Sequence, residues 1–274
     1  MKHIFPTVFV FCLVLLPIAG LTQDRIFTYT YQSNVLPKGQ KELEVWNTFH
    51  VGRADYYRAL RHRVEYEIGL GGRLQTAFYL NLSTGAAYDP SSETIQALPA
   101  EFWFSNEWKW KLLDPLANPV GLALYGEIGV AARELDLEAK IILDKQLGKT
   151  LHAFNAVFEP EWESEAEKGE VESEFELQFE LDYAFSWRLN RNWNVGFEVR
   201  DHNAWKPQDG GNGGWEYSAL FAGPGLSYNA DRFWLNLTIM PQIAGLRHPE
   251  GQSGGLILNE HERLETRLIF SYAF

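Results

Sequence analysis

The sequence predicts an all-β fold, a transmembrane antiparallel up-and-down β-barrel of about twelve strands, with ten or fourteen as the alternatives. Three observations carry this. Apolar residues recur with a period of two through twelve segments separated by turn residues, which is a strand signal and not a helical one. The faces opposite them carry ionised side chains, among them Arg61, Arg63, Glu65, Glu67, Glu174, Glu176 and Glu180. A dry core would hold these only if most were paired, whereas a hydrated lumen holds them readily. Finally, the connections alternate between tight and long, as they do when one end of a barrel carries turns and the other carries loops.

The elements follow in order. The first strand is expected over Lys41–Val51, with Leu43, Val45, Phe49 and Val51 on one face. The second, Tyr57–Leu70, sets Leu60, Val64, Tyr66 and Ile68 against Arg61, Arg63, Glu65 and Glu67. The third and fourth, Arg73–Leu82 and Glu101–Trp110, carry Leu74, Phe78 and Leu80, then Phe102, Phe104, Trp108 and Trp110. Val120–Val130 and Leu135–Leu143 follow, then Leu151–Glu163, the least regular. The eighth, Val171–Leu189, is the longest and opposes Phe175, Leu177, Phe179, Leu181 and Tyr183 to Glu174, Glu176, Gln178, Glu180 and Asp182. Trp193–Arg200, Trp215–Tyr228, Arg232–Gln242 and Glu262–Phe274 complete the set. The apolar faces carry no Asp, Glu, Lys or Arg in a chain that is 22% charged. Each Lys or Arg facing mid-membrane lipid would cost about 2–4 kcal/mol.

Gly71-Gly72, Gln146–Lys149, Asn190–Asn192 and Asn229–Asp231 are expected as tight periplasmic turns, and Leu112–Pro119 as a longer, Pro-rich one. Ser83–Pro99, Glu165–Gly169, Asp201–Gly214 and Leu246–Asn259 are expected as external loops. Gly223-Pro224-Gly225 leaves the strand count open. Trp46, Phe49, Trp103, Trp108, Trp110, Trp187, Trp193, Trp215 and Trp234 fall near strand ends, where those facing lipid would form interfacial girdles.

The two ends of the chain agree. Lys2 and His3 precede an apolar run from Ile4 to Ile18 and small residues at Ala19 and Gly20, the pattern of a cleaved secretory signal over residues 1–22. Residues 23–40 would then be a periplasmic or lumenal segment, and 41–274 the barrel. The only cysteine, Cys12, lies within the leader, so disulfides and cysteine-ligated metals are not expected. About 250 remaining residues suit one large β-domain. The net charge of −12 disfavours nucleic acid as a partner. No cofactor is implied.

At the other end, Leu264, Thr266, Leu268, Phe270, Tyr272 and Phe274 alternate with Arg263, Glu265, Arg267, Ile269, Ser271 and Ala273. This resembles the closing strand of bacterial outer-membrane barrels. The resemblance implies that Phe270, Tyr272 and Phe274 are an assembly signal read by the barrel assembly machinery. It departs at Ile269, where that signal often has Gly. Tyr29-Thr30-Tyr31, Leu36-Pro37-Lys38-Gly39, Glu42, Glu44 and Trp46 resemble the opening of a family of uncharacterised outer-membrane barrel proteins. Arg63–Gly69 and Leu74–Asn81 continue the match. That family implies a Gram-negative outer membrane, with lipid and lipopolysaccharide as surroundings, and supplies no activity.

Catalytic motifs are not found. The outer-membrane phospholipase pattern needs a Ser two residues after a His, but His152 is followed by Ala153-Phe154, His50 by Val51-Gly52 and His62 by Arg63-Val64. No Gly-x-Ser-x-Gly elbow is present. Asp201-His202 and Glu260-His261-Glu262 imitate a proteolytic rim or a divalent-ion site, but the expectation is solvated loop residues with no metal. Charge is the remaining lead. Ten Glu lie between Glu159 and Glu180. Glu159, Glu161, Glu163, Glu172, Glu174, Glu176 and Glu180 are expected to form an acidic wall facing Arg61, Arg63, Arg73, Arg263 and Arg267. Opposed walls would orient small polar solutes in a pore. The leading expectation is therefore a narrow channel, then a non-conducting structural or surface-interaction barrel, then a hydrolase. The tip at Glu165–Glu170 is an alternative site for cations that bridge lipopolysaccharide.

Overall fold

A computed structural model describes residues 25–167, 170–207 and 214–274, with residues 165–167 and 170–172 described by backbone alone. The expected leader lies outside the described residues. Twelve antiparallel strands close a single barrel: β1 (Lys41–Val51), β2 (Tyr57–Gly71), β3 (Leu74–Asp89), β4 (Thr94–Leu113), β5 (Gly121–Val130), β6 (Glu134–Leu147), β7 (Thr150–Glu167), β8 (Glu170–Arg188), β9 (Trp193–Lys206), β10 (Gly214–Asn229), β11 (Phe233–Arg247) and β12 (Leu264–Ala273). Every neighbour in sequence is a neighbour in the sheet, and β1 closes on β12 with Val45 opposite Phe270. Closure leaves no unpaired edge, which is what allows strands to cross lipid.

The barrel is inside-out relative to a soluble one. Leu80 and Phe102 are 67% and 68% exposed, while Glu65, Glu107 and Asn155 in the interior are 0% exposed. The expected lipid-facing registers hold along β1, β2, β4, β6 and β12. Phe49, Trp108, Trp110, Trp187, Trp193 and Trp215 are exposed on the outer face. Trp46 and Trp234 instead point inward and are buried, and Trp103 lines the interior, so these three leave the girdle.

Three expected loops need correction, and in one of them, Asp201–Gly214, strand β9 runs on to Lys206. Ser83–Pro99 is no loop: β3 and β4 stay paired through Asp89–Thr94. Residues 91–100 are exposed on both faces, so this hairpin stands beyond the membrane and backbone hydrogen bonds hold it without an alternating pattern. The β7–β8 hairpin likewise pairs to Glu167–Glu170. Gly223-Pro224-Gly225 stays inside β10, opposite Glu198, Phe197 and Gly196, and that fixes twelve strands. The end carrying 72–73, 114–120, 148–149, 189–192 and 230–232 is called the turn end, and the opposite one the loop end.

Candidate functional site

Residues 25–40 run inside the turn-end half of the barrel as an extended strap. Phe27, Thr28, Tyr29, Thr30, Tyr31, Ser33 and Leu36 are all buried there. The strap circles the inner wall in order. Asn236 of β11 donates to the Arg25 carbonyl at 3.0 Å. Glu198 of β9 accepts from the Thr28, Tyr29 and Thr30 amides at 2.8–2.9 Å and from Thr28 Oγ1 at 3.0 Å. Asn155 of β7 brackets Tyr31, accepting from its amide at 2.6 Å and donating to its carbonyl at 3.0 Å. Asp144 of β6 accepts from Ser33 Oγ at 2.5 Å, Gln75 of β3 from the Leu36 amide at 2.9 Å, and the Gly69 carbonyl of β2 from the Gly39 amide at 2.8 Å. A closed sheet offers a buried extended segment no free edge, so lumen side chains must satisfy its backbone.

Two glycines make room for it. A Cβ on Gly69 would lie 2.1 Å from the Pro37 carbonyl oxygen, and one on Gly121 2.3 Å from Ser33 Oγ. The centre of the ring is filled as well. The Arg25 guanidinium lies 4.2 Å from the Tyr31 ring centroid and 4.5 Å from that of Trp46. Tyr125, Ile142, Trp234 and Ile269 pack against the same cluster.

Above the strap the interior is hollow. A cavity of about 970 Å³ opens at the loop end, and Tyr29 and Tyr31 of the strap form part of its lining. Asp and Glu outnumber Lys and Arg along this cup. An acidic arc on β5–β8, including Glu127, Glu138, Glu159 and Glu161, faces Arg61 and Arg63 of β2 and Arg267 of β12. Arg267 stacks on Tyr29 at 3.9 Å. The walls are not simply opposed, because Arg200 of β9 stands between them. Its Nη2 reaches Glu180 at 2.5 Å and its Nη1 reaches Glu265 of β12 at 3.1 Å. Lys140 pairs with Glu138 at 2.6 Å, and Lys206 with Glu176 at 2.8 Å.

Of the residues expected to line a pore, Arg61, Arg63, Glu176, Glu180 and Arg267 do line the cup. Arg73 does not. It sits exposed in the β2–β3 turn with φ +71° and donates to the Leu112 carbonyl. Arg263 and Glu174 are exposed and do not line the cup. The Glu172 side chain lies outside the described residues. Phe270 and Phe274 are exposed at the lipid face.

The 248–263 loop between β11 and β12 turns into the mouth. Ile257 is fully buried, exchanging hydrogen bonds with the Gln242 side chain at 2.6 and 3.1 Å. The following His261 and Glu262 are buried too, so the expectation of solvated loop residues is overturned for these two, while Glu260 is exposed. Burial and the neighbouring His202 ring, 4.5 Å away, push His261 well below its ordinary pKa. Burial opposes ionisation of Glu262, but His50 and Arg53 beside it hold its carboxyl well below the usual range. His202 in turn contacts Glu180 at 2.5 Å.

A model of a family of unknown function, DUF6662, matches residues 20–274. The chain belongs to that family. No curated protein matches it at a significant level. Among solved structures, the β domain of the Bordetella autotransporter BrkA superposes on this DUF6662 barrel with a TM-score of 0.54 at 11% identity, over 86% of this chain and 100% of that one. The NanC porin gives 0.49 at 11% identity over 84% and 98%. A bacterial polysaccharide outer membrane secretin gives 0.45 at 8% identity over 85% and 98%. Identities this low establish the fold alone, and that fold is the bacterial outer-membrane barrel. DUF6662 membership fixes no chemistry, so the site must be read from its own geometry.

Sequence reasoning missed Glu198, Asn155, Gln75 and Asp144, which hold the strap, and Arg200, which spans the cup. Each occupies a lumen-facing parity position, and Glu198 and Asn155 do so as polar residues between apolar neighbours. That signal marks the face and gives no hint of the partner.

Proposed function

We propose that this protein is an outer-membrane barrel that receives small polar solutes, cations first, in a cup open to the exterior and closed toward the periplasm by its own N-terminal strap. The strap is the observation that carries this reading: it fills the turn end with side chains and satisfied backbone. Barrels of this class place chain termini and short turns on the periplasmic side, so the hollow end faces outward. Excess carboxylate in a hydrated cup with low-dielectric walls concentrates cations. In the outer membrane the lipid-facing belt would meet lipid and lipopolysaccharide, and Phe270, Tyr272 and Phe274 would be read by the assembly machinery.

Two measurements on refolded protein test this. Planar bilayers holding the wild type should show no steady unitary current. Spermidine should bind at low ionic strength and weaken as salt rises, while a small dianion should not bind. Steady wild-type conductance, or equal binding of the anion, would overturn the reading. A strap-gated channel is the second reading. It is favoured because hydrogen bonds hold the strap to the wall and its tyrosines form part of the cup lining. In that case wild-type current would appear as brief openings.

A further inference from the structure

We infer that His50, Glu262 and Glu265 form a binding site for a zinc-class divalent metal ion in the wall of the cup. The three side chains are buried and line the cavity, and one ligand atom from each lies within 4.8 Å of the other two. His50 supplies the decisive observation. It is 6% exposed, yet neither ring nitrogen makes a hydrogen bond. Its Nδ1 stands 3.5 Å from Glu262 Oε1, a charge contact without hydrogen-bond alignment. Zinc–ligand bonds of about 2.1 Å in a tetrahedron place ligands about 3.4 Å apart, so this pair already has the spacing of a tetrahedral edge.

The surroundings are those of a catalytic-type or regulatory site rather than a closed structural one. Arg53 donates to Glu262 Oε1 at 3.1 Å and Arg200 to Glu265 Oε2 at 3.1 Å. These contacts fix both carboxylates, and a carboxylate oxygen has a second lone pair, so Glu262 Oε1 can accept from Arg53 and still face the ion. One imidazole and two carboxylates favour zinc over calcium, which takes six to eight oxygens. Three protein ligands leave the fourth position to water from the cup. The two arginines repel the ion and hold the affinity below that of a closed structural site. The ligands come from β1, β12 and the 248–263 loop, so binding ties the inserted loop to the wall.

The test titrates the folded full chain in detergent with Zn²⁺ by calorimetry. The expected result is one site per chain, weakened at least tenfold by His50→Ala and by Glu265→Gln, and unchanged by His152→Ala. His152 is a fitting control because it is half-buried and contacts Tyr183 Oη at 2.9 Å, away from the cup. Zinc-edge X-ray absorption should show a single imidazole with oxygen ligands. Zn²⁺ should slow tryptic cleavage at Arg247 and Arg263, which flank the loop, in the wild type and not in Glu262→Gln. Glu262→Gln changes a loop residue, so it keeps the test open if a wall variant fails to fold. Absence of stoichiometric binding, wild-type affinity in the His50 variant, or two or more imidazoles on the metal would overturn the assignment.

Discussion

The two halves of the barrel interior are made by the same strands with the same polar parity, yet one is solid and the other hollow. At the turn end Glu42, Asn155, Ser186 and Glu198 are almost fully buried, because the chain doubles back and fills the space. At the loop end Arg61 and Glu163 remain exposed. The difference lies in what occupies the lumen rather than in the wall. Strand alternation delivers polar side chains inward everywhere. Only where a segment with unsatisfied backbone donors meets them do they become a packed core.

Four experiments break or sharpen that comparison. The largest effect is expected for Glu198→Ala. It strands three strap amides, each costing about 1–3 kcal/mol if left buried and unpaired. The urea midpoint should fall sharply, residues 25–40 should become protease-sensitive, and bilayer current should appear. If the strap stays protected, Glu198 is not its anchor. Next comes Leu268→Arg on the lipid face, expected to cost about 2–4 kcal/mol, set against Gln178→Arg on the acidic cup wall beside Glu161, which should cost much less. Equal losses in unfolding titrations would contradict the inside-out assignment. Gly69→Val drives a side chain into the Pro37 and Leu36 carbonyls and should cost about 1–3 kcal/mol through overpacking. It should loosen the strap and leave spermidine binding in the cup intact.

The smallest effect is a pH dependence at the mouth. The folded-state pKa of Glu262 is depressed, so its contribution to stability is complete above the ordinary value of 4.5 and is lost as pH falls below it. Acidification should therefore release the 248–263 loop to protease in the wild type. Glu262→Gln should give a cleavage rate that does not change over the same range.

Part of this was legible in advance. Arg61, Arg63, Glu176, Glu180 and Arg267 could be assigned to the interior because a one-residue slip would have put them in lipid. The same argument failed for Arg73 and Arg263, which sit at strand ends where the alternation stops constraining direction. It also failed for Ser83–Pro99, whose β4 arm is exposed on both faces, so that alternation carries no penalty there. Tyr29-Thr30-Tyr31 and Leu36-Pro37-Lys38-Gly39 stood out as a pattern, but nothing local says that such a segment lies within the barrel.

By itself the sequence determined which side of each strand meets lipid, because the cost of burying a charge there is local and repeats every second residue. The tertiary structure alone decided that Glu198, Asn155 and Gln75 meet the strap, and that His50 meets Glu262 and Glu265 across β1, β12 and the inserted loop. Those contacts join residues up to about two hundred positions apart. They depend on how barrel closure brings distant strands around a common axis, and no short-range pattern encodes that.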